Sequence, residues 1–348
     1  MRTLRVLLVG LGNVGARFVG LLRDRSPLLA AQYGLDIRLV GVADRRGCAL
    51  APEGLDPTAL CATKAEGRSV AMLPGAGRPG WEALRLLDAL EADLLVEASP
   101  TNYRDAQPGL DLVRRALASG RHAVLASKGP LVLAWPELAA LSDWSDPARP
   151  SLRFGGTTCG ALPTLAMGRR DLAAARIRRM EGVLNLSTQI LLARMAEGVA
   201  LPQAIAEAQG LGLLEADPSL DVEGWDAAAK LVIVANAVLG MPARLDDVAR
   251  QGIAALDAAE VAEARRRGAR YALLATAVAE GGTYRLQVAP RALPLAHPYS
   301  HLEEDEGAVL YETDIYGRMV ATLARQGPLG TAAALLRDLI GIARAERP

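Results

Sequence analysis

Cysteine and histidine are scarce in this chain and long apolar runs are missing, so several protein classes fall away at once. The three cysteines, Cys48, Cys61 and Cys159, are odd in number and stand at no metal-ligand spacing, which argues against a disulfide framework and against a zinc site. His122, His297 and His301 are scattered too; Pro298 lies between the two that are four apart, and a loop or surface role is expected for them rather than metal ligation. No apolar stretch is long enough to cross a bilayer, and the N-terminus runs straight into strand-like RTLRVLLVG without a leader pattern. An excess of charge of one sign is also missing. Lys+Arg and Asp+Glu stand at 39 each, so no nucleic acid and no membrane surface is implied as a partner. A reduced, cytoplasmic protein is expected.

What is present is the profile of a globular enzyme: 348 residues, 51% hydrophobic and 22% charged, enough for two domains with a sizeable core. LRVLLVG at residues 4–10 is a short apolar run that ends in GLGNVG and is followed by amphipathic ARFVGLLRDR, which reads as strand, tight turn and helix. IRLVGVADRRG, ADLLVEASPTN and RHAVLASKGPL are further strand candidates, separated by a loop-like Pro- and Gly-containing region, a helix near 81–90 and the helix DAQPGLDLVRRALASG. Strands alternating with amphipathic helices predict a parallel, doubly wound α/β sheet. After about residue 150 the pattern changes to α+β. RIRRMEGVLN reads as a strand, the helical stretch from Ser187 breaks at Pro202, and residues 269–291 read as two strands joined at Glu280, Gly281 and Gly282. A further strand pair is expected in GAVLYETDIYGRMVATLA, and GTAAALLRDLIGIARAE is an amphipathic helix. We therefore expect a dinucleotide-binding domain over residues 1–130, with the C-terminal helix of 327–348 packing back on it, and a substrate-binding, catalytic and dimerisation domain over 131–326.

In GLGNVG, Gly10 permits the turn, Gly12 lets backbone amides approach a pyrophosphate, and Gly15 allows close helix packing. Asp44 closes the second strand, where a carboxylate accepts from an adenosine ribose, but Arg45 and Arg46 follow at once and could pair with a 2′-phosphate. NAD and NADP both remain open. Lys64 is a candidate for a further phosphate contact, but a solvated loop lysine is the expected reading. Lys128, in ASKGPL, stands at the C-terminal end of a strand, the edge where open α/β sheets bind ligands, and can pass a proton there.

The densest chemistry lies in EADPSLDVEGWDAAAKL, residues 215–231. Asp226 and Lys230 are four apart, so on a helix they share a face. Glu215, Asp217, Asp221 and Glu223 precede them in a Pro-containing segment that reads as loop. Carboxylates that hold an ammonium, beside a cation that polarises a carbonyl, suit a small zwitterion. The plainer alternative is a helix N-terminus with acidic residues and a surface ion pair.

Taken together, GLGNVG, ADLLVEASPTN, ASKGPL, the Gly-Gly to Pro163 segment, EGVLN, AQGLGLLEADPSLDVEGWDAAAKL and GTAAALLRDL resemble the homoserine dehydrogenase family over most of the chain. The resemblance implies a Rossmann domain, a second α+β domain and a homodimer that interconverts L-homoserine and L-aspartate 4-semialdehyde with NAD or NADP. It places the cofactor on Gly10, Gly12, Asn13, Val14, Gly15, Asp44 and Arg45, and on Ser99, Pro100, Thr101 and Lys128. Glu215, Asp221, Asp226 and Ser187 would meet the substrate, Lys230 would sit beside the reacting oxygen, and Lys128 would complete the proton path. The chain ends soon after its last helix, so neither a regulatory domain nor threonine feedback through one is expected.

Several positions depart from the family pattern. Ser127 stands where Asn usually precedes the lysine, Leu186 and Ser187 replace Gly-Thr, and Leu213 replaces an aromatic residue. Gly155 stands where a glutamate commonly helps to hold a sodium ion, which puts a metal site in question. A leucine for a glycine narrows a pocket and makes it more apolar. The alternatives are thus a related dehydrogenase for another small amino or hydroxy acid, or an inactive cofactor-binding relative.

Overall fold

The computed structural model describes residues 1–143, 149–215, 217–324 and 327–345. The chain divides into two compact units, Met1–Ala161 with Gln326–Pro348, and Leu162–Arg325.

The first unit is built on a seven-stranded sheet. Its strands are β1 (Arg2–Val9), β2 (Leu35–Asp44), β3 (Gly47–Leu50), β4 (Gly77–Pro79), β5 (Leu94–Glu97), β6 (His122–Leu125) and β7 (Leu152–Arg153), in the order β4-β3-β2-β1-β5-β6-β7. From β2 through β7 all neighbouring pairs are parallel, whereas β3 and β4 join antiparallel at the far edge. The central segments Val6–Val9, Leu39–Ala43, Leu94–Val96 and Ala123–Leu125 are apolar and buried, as a parallel sheet covered on both faces requires. Strand order reverses direction between β1 and β5, which is the switch point where such sheets bind dinucleotides.

The helix Asn13–Tyr33 and the C-terminal helix Pro328–Ala343 pack into one core, where Phe18, Val19 and Leu22 meet a cluster that includes Leu335, Leu339 and Ile342. Each of these buried side chains contributes about 1.5–3 kcal/mol. The sheet reaches past residue 130, where the sequence reading drew the boundary, because β7 pairs with β6 through Ala123 and Val124. The region after Asp44 is also more ordered than a loop: it holds β3, β4 and the helix Pro57–Ala65, capped by Asp56. Lys64 lies in the last turn of that helix, so the expectation of a loop lysine is corrected.

The second unit has a six-stranded sheet, β8 (Ile177–Val183), β9 (Val248–Arg250), β10 (Arg270–Glu280), β11 (Thr283–Leu293), β12 (Glu306–Thr313) and β13 (Arg318–Ala324), in the order β13-β12-β8-β10-β11-β9. The β10–β11 hairpin closes through Gly281 and Gly282, both at positive φ as a two-residue turn demands. Pro202 does not break a helix but opens one: Leu186–Ala196 ends before it, and Leu201–Gly210 carries it in the first turn. The helix Trp225–Ala237 buries Ala227 to Ala229 and Leu231 to Asn236, leaving Asp226 and Lys230 on its partly open face. Asp221, placed in a loop by the sequence reading, sits in the short helix Ser219–Val222.

Candidate active site

The glycine turn follows directly from β1. Gly10 has φ +98°, and a Cβ there would lie 2.3 Å from the Ala98 carbonyl oxygen. A Cβ on Gly15 would lie 1.9 Å from the Gly10 carbonyl oxygen. These two glycines are fixed by packing. Gly12 is different, since a Cβ on it would meet nothing within 4 Å, so the protein's own packing does not require a glycine there. It is the N-cap of the helix Asn13–Tyr33 and makes no side-chain cap bond, while the first turn holds no acid. Exposed amides at that helix start, with open space above Gly12, fit a pyrophosphate. Asn13 is exposed and Val14 half-buried in the same turn.

Asp44 ends β2 with its carboxylate held from three sides. One oxygen accepts from the Arg46 amide at 2.8 Å and the Ser69 hydroxyl at 2.7 Å, the other from the Val70 amide at 2.9 Å. Ser69 is a partner the sequence reading missed, because it lies 25 residues away. Arg45 and Arg46 are exposed beside it.

At the ends of β5 and β6, a fully buried carboxylate joins the two loops that follow. Glu97 accepts from the Ser99 amide at 2.9 Å and from the Ser99 and Ser127 hydroxyls. Burial pushes its carboxyl above the ordinary range, and the donors of Ser127 and Ser99 oppose that. The Lys128 amide donates to the Thr101 hydroxyl at 3.3 Å, and a Cβ on Gly129 would lie 2.3 Å from the Asn102 carbonyl oxygen. Ser99, Thr101 and Lys128 are thus brought together on one sheet edge, with Pro100 exposed between the first two. Ser127, where an asparagine was expected, still hydrogen-bonds inward.

In the second unit Lys230 and Asp226 meet at 2.6 Å, their side chains only 12% and 15% exposed. The Lys230 ammonium also donates to the Leu184 carbonyl oxygen at 2.6 Å. Asn185 bridges the acids: its amide nitrogen donates to Asp221 at 2.6 Å and to Asp226 at 2.9 Å, while its oxygen accepts from the Thr188 amide and caps the helix Leu186–Ala196. Asp221, Asp226 and Lys230 therefore form one cluster, and the plain surface-pair alternative does not describe it. Asn185 lies 36 and 41 residues from these two acids, so no local spacing in EGVLN signals its role. Ser187 and Leu186 open the adjoining helix and are half-buried, as is Leu213. Glu215 is exposed, and no hydrogen bond ties its carboxylate to this cluster among the described residues.

A sodium ion finds no acid at position 155. The Gly155 amide donates to Asp338 at 2.6 Å, and a Cβ at Gly155 would lie 2.9 Å from the same carboxylate and 3.1 Å from the Arg337 guanidinium. The space for an acidic side chain is taken by a carboxylate already committed to an amide and faced by Arg337 and Arg153. The acid expected to help hold the ion is thus missing at position 155, and its nearest carboxylate neighbour, Asp338, is bonded to the Gly155 amide. Among the described residues no group of three or more His, Cys, Asp or Glu side chains is placed to hold a metal.

Fold and site together define the class: a Rossmann-type α/β protein with a second, α+β unit that carries a half-buried lysine–carboxylate cluster. The family model for homoserine dehydrogenase matches residues 163–340, about half of the chain. An NAD(+)-dependent homoserine dehydrogenase of Pseudomonas canavaninivorans is 32% identical over 98% of this chain and 97% of its own length. A homoserine dehydrogenase of Methanocaldococcus jannaschii is 30% identical over 97% and 98%. The crystal structure of a homoserine dehydrogenase from Thiobacillus denitrificans superposes with a TM-score of 0.83 at 29% identity, over 99% of this chain and 74% of that one. The chain belongs to the homoserine dehydrogenase family. No helix among the described residues is long and apolar enough to cross a membrane.

Proposed function

We propose that this protein interconverts L-homoserine and L-aspartate 4-semialdehyde with NAD or NADP. The observation that carries the reading is the Asn185, Asp221, Asp226 and Lys230 cluster, which lies inside the matched family segment and has the charges a small amino acid with a reacting carbonyl requires. A nicotinamide dinucleotide held by the first unit would supply or accept the hydride. Asp221, with Glu215 and Ser187, holds the amino end of the substrate. Lys230, oriented by Asp226 and the Leu184 carbonyl, places its ammonium at the carbonyl oxygen and stabilises the charge that develops there. Lys128 moves the proton. No step is assigned to a sodium ion.

The glycine turn with Asn13 and Val14 would hold the pyrophosphate, and Ser99, Pro100 and Thr101 would border the nicotinamide half. Asp44 supports NAD over NADP, because its carboxylate is anchored by Arg46, Ser69 and Val70 and would have to abandon three hydrogen bonds to move aside for a 2′-phosphate. Arg45 and Arg46, exposed beside Asp44, are the guanidinium groups that would meet such a phosphate. The working state is a cytoplasmic homodimer: the exposed apolar side chains Ile315, Tyr316 and Val320 on the β12–β13 hairpin suit a protein partner, and none of Cys48, Cys61 and Cys159 forms a disulfide.

The test is initial-rate oxidation of L-homoserine by the purified protein, with NAD and NADP in parallel. Turnover with NAD in preference to NADP is expected. Absence of turnover with both, while either dinucleotide still binds, contradicts the substrate assignment and points to another small amino or hydroxy acid fitted to Leu186 and Leu213.

A further inference from the structure

We infer that Glu97 is a positioning residue that fixes the Ser99 hydroxyl as an acceptor for the carboxamide N–H of the nicotinamide. The inference rests on the dinucleotide reading and adds to it how the cofactor's amide end is recognised.

Glu97 has no solvent exposure and gathers donors at both of its oxygens. Oε1 accepts the Ser99 amide at 2.9 Å together with the Ser99 hydroxyl, and Oε2 accepts the Ser127 hydroxyl. A serine hydroxyl has one hydrogen and two lone pairs; once the hydrogen is given to a carboxylate, only acceptor capacity remains for a ligand. The arrangement does not depend on whether Glu97 is charged. Oε1 already carries two donors from Ser99, so a proton on the carboxyl belongs on Oε2 and leaves Ser99 donating as before.

The backbone points the same way. The Ser99 amide is committed to Glu97, and Pro100 has no N–H, so this dipeptide offers oxygen atoms and no donor. Its place suits a cofactor contact. A Cβ on Gly10 would lie 2.7 Å from the Ser99 nitrogen, which puts Ser99 against the pyrophosphate turn, at the switch point between β1 and β5. Ser99 is half-exposed there, whereas Ser127 is buried and serves Glu97 from behind. The helix Gly109–Ala118 begins against the same carboxylate, since a Cβ on Gly109 would lie 3.2 Å from its Cδ. Its positive end helps to hold the carboxylate where it is. An acceptor-only dipeptide selects a ligand group that donates, and the nicotinamide amide is such a group.

The test measures binding of three ligands by calorimetry: NAD, 3-acetylpyridine adenine dinucleotide, in which a methyl group replaces the amide nitrogen, and ADP-ribose, which lacks the ring. Wild type is expected to bind NAD about five- to tenfold more tightly than the acetylpyridine analogue, the worth of one hydrogen bond. Ser99→Ala should bring the two to near equality with ADP-ribose unchanged. Glu97→Gln, whose amide nitrogen can donate and release a serine hydroxyl, should also narrow the ratio; should it fail to fold, Ser99→Ala carries the test. A wild-type protein that does not discriminate, or a Ser99→Ala protein that keeps the wild-type ratio, overturns the inference. Equal weakening of all three ligands in Ser99→Ala marks a merely structural role and overturns it too. Failure of wild type to bind ADP-ribose overturns the dinucleotide reading itself, and the inference with it.

Discussion

Asp226 and Lys230, one turn apart on a single helix, form a contact of 2.6 Å in which both side chains are mostly withdrawn from water. Coulomb attraction there is less screened than at a surface, and each charge depends on the other. Lys230→Met is therefore expected to lower kcat by about 10²- to 10⁴-fold while dinucleotide affinity is retained. It leaves Asp226 without its cation, which costs about 3–5 kcal/mol of stability. The double variant Asp226→Asn with Lys230→Met should recover much of that stability in urea unfolding yet stay inactive. Activity in the double variant would show that the ion pair is structural only.

Asn185 is the hinge of the same cluster. Asn185→Ala removes the donor shared by Asp221 and Asp226 and uncaps the helix Leu186–Ala196. The lost cap alone costs about 1 kcal/mol. The expected kinetic signature is a raised KM for the amino-acid substrate with an unchanged KM for the dinucleotide. Equal changes in both would place Asn185 outside the substrate site.

Gly12 and Gly15 separate cofactor binding from folding. Gly15→Ala puts a methyl group 1.9 Å from the Gly10 oxygen and should fail to give a folded protein. Gly12→Ala creates no clash, so the protein should fold, with a Tm without ligand lowered by at most the cost of alanine at an N-cap. Its affinity for the dinucleotide should fall by about tenfold or more, because the added methyl group stands where the pyrophosphate approaches the helix amides. Unchanged affinity in Gly12→Ala would remove the pyrophosphate from this turn.

Asp338 makes stability depend on pH. Burial raises its carboxyl above the ordinary value of 3.8, against the opposing pull of Arg337, the Gly155 amide and Arg153. A raised folded-state value means that the folded protein holds a proton the unfolded chain has released. The contribution is therefore full below about pH 3.8 and is lost as pH rises through the raised value. Asp338→Asn keeps an acceptor for Gly155 and removes the titration. The stability of wild type minus that of the variant should fall as pH rises above about 4, measured by urea unfolding at a series of pH values. A constant difference across that range would contradict the assignment.

The glycine turn, the alternation of strands with helices, and the Asp226–Lys230 pair were all legible in the sequence, because each is set by neighbours within one turn or one short run. The hidden partners are distant in the chain. Ser127 reaches Glu97 across 30 residues, Asn185 reaches Asp226 across 41, and Asp338 reaches Gly155 across 183. No local period encodes such contacts; they arise when strand ends and helix ends pack. The same cause accounts for Gly155, where the sequence shows an acid lost and the structure shows another carboxylate in its place. Lys64 and Asp221 were misread as loop residues because short helices capped by local side chains or turns leave little periodicity to detect.

The most direct test of the central claim is the fate of hydride. L-Aspartate 4-semialdehyde is incubated with the protein and reduced nicotinamide dinucleotide carrying deuterium at both positions of ring C4, and the product is analysed by mass spectrometry and NMR. The account predicts L-homoserine with deuterium at C4, formed far more slowly by Lys230→Met. Homoserine without the label, or no homoserine from a protein that binds the dinucleotide, would contradict it.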